Sequence, residues 1–164
     1  MRLIEILRED LIQIGLESED KWEVIEALVN LLVSTHEIRM RDRRDVLTAV
    51  VERERTMSTG LGHGIAIPHG ALESIDQFVG AIGISRSGIN FQAIDGKPVY
   101  LVLLLVVPAM TFDKHIRTLA GIARLLNSEE FRQNLMKAET SQEVMELVQK
   151  EEGKELFHNF GSIT

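Results

Sequence analysis

A histidine follows a run of closely spaced glycines in the segment 58–70, which reads STGLGHGIAIPHG. The glycines allow positive φ and let the backbone come close to a bound group. The apolar residues at 65–67 are typical of a short buried strand, and Pro68 fixes φ just before His69. The segment therefore predicts a histidine held at the end of a strand, beside backbone N–H groups that face an anion such as phosphate.

His63 precedes His69 by six residues (69 − 63) and offers a second nitrogen ligand for a metal ion. The spacing matches no zinc signature, and the segment contains no acidic or thiol group. The chain has no cysteine, which excludes disulfides, thiolate nucleophiles and cysteine-ligated zinc. We therefore expect no metal site, and a metal hydrolase using both histidines is kept only as a third hypothesis.

Three further side chains are candidates for contact with an anion. His115 is expected in the first turn of a helix that follows Pro108, where the macrodipole favours anions and disfavours imidazolium. Arg53 and Arg55 end the helix before the glycine-rich segment, and an arginine reaching over that segment would make charge-assisted hydrogen bonds to phosphate. Spacing alone does not decide between the two arginines.

The elements that must position these residues follow from the hydrophobic periodicity. After a short helical start, it predicts a helix over 20–34, a helix capped by Asp42, and helices over 112–126, 128–137 and 141–150. Strands are predicted near 11–14 and over 78–85 and 99–107, with turns at 87–90 and 95–98. The apolar run at 99–107 is far shorter than the roughly 20 residues of a membrane-spanning helix, so it predicts a central strand covered on both faces. This order predicts a single α/β domain with a mixed β-sheet sandwiched between helical layers.

Length and composition limit the class of protein further. The 164 residues suit one domain, and an apolar content of 45% can form a full core. The net charge of −7 argues against a nucleic-acid partner. A charged N-terminus predicts no signal peptide, so we expect a cytoplasmic protein without direct membrane insertion. We expect the domain to span residues 1–150, followed by a C-terminal tail over 151–164 that is mobile or docked on a neighbour.

Three segments together resemble a known family, the enzyme IIA domain of the fructose/mannitol type of the bacterial phosphoenolpyruvate-dependent sugar phosphotransferase system, including its nitrogen-regulatory members. The first is STGLGHGIAIPHG at 58–70. The others are GINFQAIDGKPVYLVLLLVVP at 88–108 and HIRTLAGIARLLNSEEFRQNL at 115–135. The resemblance extends from about Leu3 to Lys150, nearly the whole chain.

The resemblance implies a phosphohistidine relay that needs no cofactor, that is, a histidine phosphotransferase component. His69 would accept a phosphoryl group from the phosphocarrier HPr and pass it to a IIB domain for sugar uptake. His115 falls on the second histidine of the family, which would lie beside the first and stabilise the phosphoryl oxygens. Arg53, sixteen residues before the acceptor (69 − 16), falls on the family's arginine and would contact the phosphate. The residues of the phosphate loop would be Ser58, Thr59, Gly60, Gly62, His63 and Gly64.

The alternative that the resemblance leaves open is a nitrogen-regulatory IIA protein. Such a protein binds regulatory partners according to its phosphorylation state instead of feeding a sugar transporter. His63 stands where relatives often carry asparagine, and both side chains can donate a hydrogen bond.

Overall fold

A computed structural model describes the backbone of residues 2–161, and the side chains of that range apart from 112 and 155–161. Its α-helices are α1 (Leu3–Ile6), α2 (Lys21–Ser34), α3 (Arg43–Thr56), α4 (Phe112–Leu125), α5 (Glu129–Lys137) and α6 (Ser141–Gly161). Its strands are β1 (Ile12–Ile14), β2 (Gly60–Gly62), β3 (Ile65–Ala66), β4 (His69–Leu72), β5 (Val79–Ile89) and β6 (Val99–Pro108). None of the helices within 2–161 is both long and apolar enough to cross a membrane.

The strands form one mixed sheet in the order β1-β5-β6-β3-β2, and β4 also pairs with β6. β6 is antiparallel to β5 and parallel to both β3 and β4. β3 and β4 follow one another along the same edge of β6, because Ile65 lies opposite Leu101 and His69 lies opposite Leu105. Residues 65–72 therefore lie along one edge of β6 as a nearly continuous strand that is interrupted just before His69.

Both faces of the sheet are covered by helices, as the apolar run at 99–107 predicted. The side chains of Leu101 and Leu103 pack with helices α1, α4, α5 and α6, whereas those of Val102 and Leu104 pack with α2 and α3. Alternate residues of β6 thus enter two separate cores, which is why the strand has no polar face. The predicted fold class, a mixed sheet between helical layers, is confirmed.

Helix α3 lies unusually close to the strand that carries His69. A Cβ added at Gly70 would lie 3.1 Å from the backbone nitrogen of Val50 and 3.3 Å from the carbonyl carbon of Ala49. Only a residue without a side chain permits this approach of helix backbone to strand backbone. Gly70 thereby sets the distance between α3 and the residues around His69.

Two predicted ends of elements differ from the structure. Asp42 precedes α3, but its carboxylate accepts a hydrogen bond from Arg39 Nε at 3.1 Å and caps no helical N–H. Its own backbone is already helical, since a 3-10 turn over Met40–Asp42 leads directly into α3, and that conformation does not suit a capping side chain. The turn predicted at 87–90 is instead an irregular part of β5, in which Gly88 has a φ of +94°. The Gly88 N–H donates to Ser85 Oγ at 2.9 Å, so this N–H group has a partner at the bend and the strand continues beyond it.

Helix α6 continues beyond Lys150, where the sequence pattern predicted its end. A single glycine such as Gly153 weakens a helix by only about 1 kcal/mol and does not end it. The Glu152 carboxylate accepts the N–H groups of Leu3 at 2.7 Å and Ile4 at 2.8 Å, which joins α6 to the first turn of α1. The division into a domain of 1–150 and a tail of 151–164 stays a prediction, and residues 162–164 lie outside the described range.

Candidate functional site

His69 lies at the interruption between β3 and β4. Pro68 has no N–H to give to the sheet, and its carbonyl accepts the Leu105 N–H at 3.0 Å. The Ile67 carbonyl lies 2.9 Å from Nδ1 of the His69 ring. Because a carbonyl can only accept, Nδ1 carries the proton and Nε2 presents its lone pair. The local backbone thus fixes which nitrogen of this half-buried ring can react.

A second imidazole lies against the first. The His115 and His69 ring centroids are 5.4 Å apart and the planes are inclined by 79°, an edge-to-face arrangement. This confirms the predicted adjacency of the two rings. His115 Nε2 is buried without a hydrogen-bond partner in the described structure, and the positive end of α4 lies one turn away. A ring nitrogen without a partner therefore belongs to the imidazole that adjoins His69.

Both imidazoles are held in the neutral form. Burial is the main cause that lowers the pKa of His69, and the Arg53 charge lowers it further. The hydrogen bond from Nδ1 to Ile67 and the Glu54 charge act in the opposite direction but do not reverse the shift. The pKa of His115 is lowered by burial first, then by His69 and by Arg53. At neutral pH the lone pair of His69 is therefore available for attack on an electrophile.

The structure separates the two candidate arginines. Arg53 Nη1 donates to the Met57 carbonyl at 2.9 Å, which bends its side chain over the end of α3, and its charge acts on both histidines. The guanidinium of Arg55 lies instead 5.7 Å from the centre of the Trp22 ring. Residues two apart on a helix point in different directions, so only one of the two faces the ring pair. That residue is Arg53.

The glycine-rich segment folds into a hairpin of β2 and β3 whose tip does not reach His69. At the tip, His63 and Gly64 have φ of +58° and +81°, and the His63 N–H donates to the Asp95 carboxylate at 3.3 Å. The tip lies at the level of Leu101 on β6, four residues before Leu105, a distance of about 13 Å along the strand. His63 therefore lines a different cleft from His69. Among the described residues, no group of three or more histidine, cysteine or acidic side chains is placed to hold a metal ion.

The backbone N–H groups that begin this hairpin are used within the protein. The Thr59 N–H donates to Glu54, and the Gly60 N–H donates to Ser58 Oγ at 3.1 Å. Gly60 is required for packing, since an added Cβ would lie 2.6 Å from that of Ala93. The expectation that these N–H groups face an anion therefore does not hold for Thr59, Gly60 or His63. The N–H groups in the first turn of α4, the helix that carries His115, have no partners within that helix.

Glu54 and Lys21 are buried charges that the sequence interpretation missed. Glu54 is only 2% exposed, although a charged side chain of a helix is expected to face the solvent. Its spacing from Val46 and Val50, both fully buried, places it on the apolar face at steps of four residues. The signal in the sequence that identifies Glu54 is a charged residue at a position where the helical periodicity predicts a buried apolar side chain.

The comparisons with known proteins identify the family and the fold. Residues 5–151 match the family model described as the phosphoenolpyruvate-dependent sugar phosphotransferase system, EIIA 2. The PTS system fructose-specific EIIABC component of Bacillus subtilis (strain 168) is 31% identical over 90% of the chain, which spans only 23% of that protein's length. The PTS system fructose-specific EIIA component of Haloferax volcanii is 36% identical over 78% of the chain and 82% of its own length.

Among solved structures, the nitrogen regulatory protein IIA-Ntr from Neisseria meningitidis superimposes with a TM-score of 0.81 at 32% identity, covering 89% of this chain and 98% of that one. The sequence match and the shared fold together show that the chain belongs to the EIIA 2 family of the phosphoenolpyruvate-dependent sugar phosphotransferase system.

Proposed function

We propose that the protein is a phosphocarrier in which Nε2 of His69 accepts a phosphoryl group from an HPr-type carrier and passes it to a IIB domain. The observation that carries the proposal is the state of the ring pair. His69 donates from Nδ1 to the Ile67 carbonyl, which leaves its Nε2 free, and its ring adjoins the ring of His115, whose Nε2 is buried without a partner among the described residues.

The transfer requires no group that the site lacks. The lone pair of His69 Nε2 forms a bond to phosphorus while the bond from phosphorus to the donor breaks, and its electron pair leaves with the donor. The proton on Nδ1 stays in its hydrogen bond to Ile67, so the phosphorylated ring carries a positive charge. In the second transfer the N–P bond breaks and its electron pair returns to Nε2, which restores the neutral ring.

The charge of the phosphoryl group is balanced by the groups around the ring pair. By analogy with other phosphorylated side chains, the group carries about −1.5 to −2 charges at neutral pH. His115 can donate from Nε2, Arg53 supplies a full positive charge, and the first-turn N–H groups of α4 have no partners within their helix. Such preorganised donors are the main source of catalysis in phosphoryl transfer.

The decisive experiment is phosphorylation by phosphoenolpyruvate, enzyme I and HPr. We expect the wild type to be labelled and His69→Ala to stay unlabelled, whereas His36→Asn should be labelled normally. His36 is a suitable control because it is exposed and has a φ of +64°, which asparagine tolerates. Labelling of His69→Ala would reject His69 as the acceptor.

A regulatory role is the second candidate, favoured by the similarity to the nitrogen regulatory protein of Neisseria meningitidis. Large apolar side chains are exposed close to the site residues. Ile116 follows His115, and Met57 provides the carbonyl that Arg53 binds. A partner protein that docks on these side chains would lie next to the negative charge that phosphorylation adds to His69. Pull-downs with phosphorylated and unphosphorylated protein test this role, because identical partner sets from both forms would exclude switching.

A further inference from the structure

A buried polar network connects the interior of the protein to the ring of His69. Glu54 Oε1 lies 3.1 Å from Lys21 Nζ, and the side chain of Glu54 is fully buried. The Thr59 N–H donates to both carboxylate oxygens at 3.1 Å, and Thr59 Oγ1 donates to Oε2 at 2.5 Å. The three donor groups together satisfy a carboxylate that has no access to water.

The network continues through the backbone to the reactive imidazole. The Ile67 N–H donates to the Thr59 carbonyl at 3.1 Å, and the carbonyl of the same Ile67 accepts the Nδ1–H of His69 at 2.9 Å. Thr59 is thus anchored by Glu54 on one side and holds Ile67 on the other. The position of the Ile67 carbonyl, and with it the orientation of the His69 ring, depends on this anchor.

The ion pair is a poor choice for stability alone. Desolvation of two charges offsets most of their attraction, and well-packed apolar residues in their place are often equally stable or more so. Lys21 is itself held rigidly, since its Nζ lies 4.9 Å from the ring centre of Trp22 and 5.2 Å from that of Phe91. A costly and rigid charge pair that is connected to the ring through three successive hydrogen bonds requires another explanation.

We propose that Glu54 is a positioning residue. Its carboxylate, held by Lys21, anchors Thr59 and, through Ile67, keeps His69 in the Nδ1–H form that exposes Nε2. The proposal rests on the proposed function of His69 as the phosphoryl acceptor. Glu54 also adjoins Arg53 in the last turn of α3, so the same anchor fixes the turn from which that guanidinium projects.

The test uses a double variant, Lys21→Met with Glu54→Leu, which removes both charges and keeps similar side-chain volumes. The tautomer of His69 is measured by ¹⁵N NMR of the ring. The rate of phosphoryl acceptance is measured in single turnovers with increasing phosphorylated HPr. We expect a mixture of ring tautomers and a rate constant about 10- to 100-fold lower, because a small misplacement of a reacting group has effects of this size. The donor concentration at half-maximal rate should stay unchanged, since the docking surface is intact.

Two comparison variants separate positioning from general damage. Lys21→Met with Glu54→Gln restores an oxygen that accepts from Thr59, so we expect the single tautomer and most of the rate to return. Glu52→Gln, an exposed acid on the same helix, should resemble the wild type. If the leucine double variant keeps a single Nδ1–H tautomer and the wild-type rate, Glu54 does not position the ring.

A further variant covers the case in which the double variant does not fold. Thr59→Val removes only the hydroxyl that donates to Glu54. Mixed tautomers together with slower acceptance would support the anchor, whereas an unchanged ring and rate would overturn it. If the wild type itself accepts no phosphoryl group, the proposed function of His69 fails, and the NMR measurement still decides whether Glu54 orients the imidazole.

Discussion

Replacement of Gly70 by alanine tests how closely helix α3 must approach the strand that carries His69. The new Cβ would lie 3.1 Å from both the backbone nitrogen and Cγ2 of Val50 and 3.3 Å from the carbonyl carbon of Ala49. Ordinary contacts begin at 3.4 Å, so the helix has to withdraw by at least 0.3 Å (3.4 − 3.1). Two of the three atoms belong to helix backbone, which cannot rotate away as a side chain does.

Overpacking of this kind costs about 1–3 kcal/mol. For a chain of this size each kcal/mol lowers the melting temperature by roughly 2–4 °C, so we expect a decrease of about 2–12 °C. Urea unfolding followed by circular dichroism gives the free energy directly. The helix movement also shifts Arg53 relative to His69, so the ring signals of His69 should change in NMR spectra.

Gly153→Ala is the matched control for this substitution. A Cβ at Gly153 meets no atom within 4 Å in the part of the chain that the structure describes, and the residue lies within a helix. We expect this variant to be more stable than the wild type by about 0.5–1 kcal/mol. A change of less than about 0.5 kcal/mol for Gly70→Ala, which is the range of ordinary surface substitutions, would refute the close approach as the limiting contact.

Four further predictions concern the ring pair. We expect Arg53→Gln to slow phosphoryl acceptance about 10- to 100-fold, which corresponds to a charge-assisted hydrogen bond of roughly 1.5–3 kcal/mol. Arg55→Gln should leave the rate unchanged. Equal rates for the two variants in single-turnover labelling would contradict this prediction. In His115→Ala the equilibrium constant for phosphorylation should fall by about tenfold or more, whereas the unphosphorylated fold loses none of the hydrogen bonds that the described residues make. A wild-type phosphorylation equilibrium would exclude a stabilising role for His115. Because the pKa of both histidines is lowered, the rate of phosphoryl acceptance should fall on acidification with a midpoint below about pH 6.5. An acid midpoint above that value in the pH–rate profile would contradict the neutral state of the His69 ring. Because of the same pKa shifts, the unfolded state binds more protons than the folded state below about pH 6.5. The contribution of these two rings to the free energy of unfolding should therefore decrease as the pH falls from about 6.5 towards the folded pKa values.

Hydrophobic periodicity predicted most helices and strands, because the pattern of each of these elements lies in residues that are close together in the sequence. The alternation of β6 residues between two cores and the helical stripes of α2 and α4 are properties of local sequence. The adjacency of His69 and His115 is different, because it depends on pairing between β4 and β6 and on the position of α4. Only the resemblance to a known family indicated it before the structure did.

The residues that the sequence interpretation missed depend on tertiary contacts. Burial of Glu54 is favourable only because Lys21, more than thirty residues earlier, meets it in the interior. The irregular strand at Gly88 depends on a hydrogen bond to Ser85 that substitutes for a turn. The hairpin that carries His63 departs from a simple anion loop because its N–H groups find partners in Glu54, Ser58 and Asp95.

The anchoring of His69 in the first position of β4 has a consequence for how the proposed phosphocarrier would exchange its phosphoryl group. Lipoyl and biotinyl groups travel on flexible tethers, but an imidazole that is hydrogen-bonded to the backbone carbonyl two residues before it stays in one place. In the proposed phosphocarrier, the donor protein and the acceptor protein would therefore approach the same nitrogen from the same direction, and their binding surfaces would overlap. The donor protein would have to dissociate before the acceptor protein could bind.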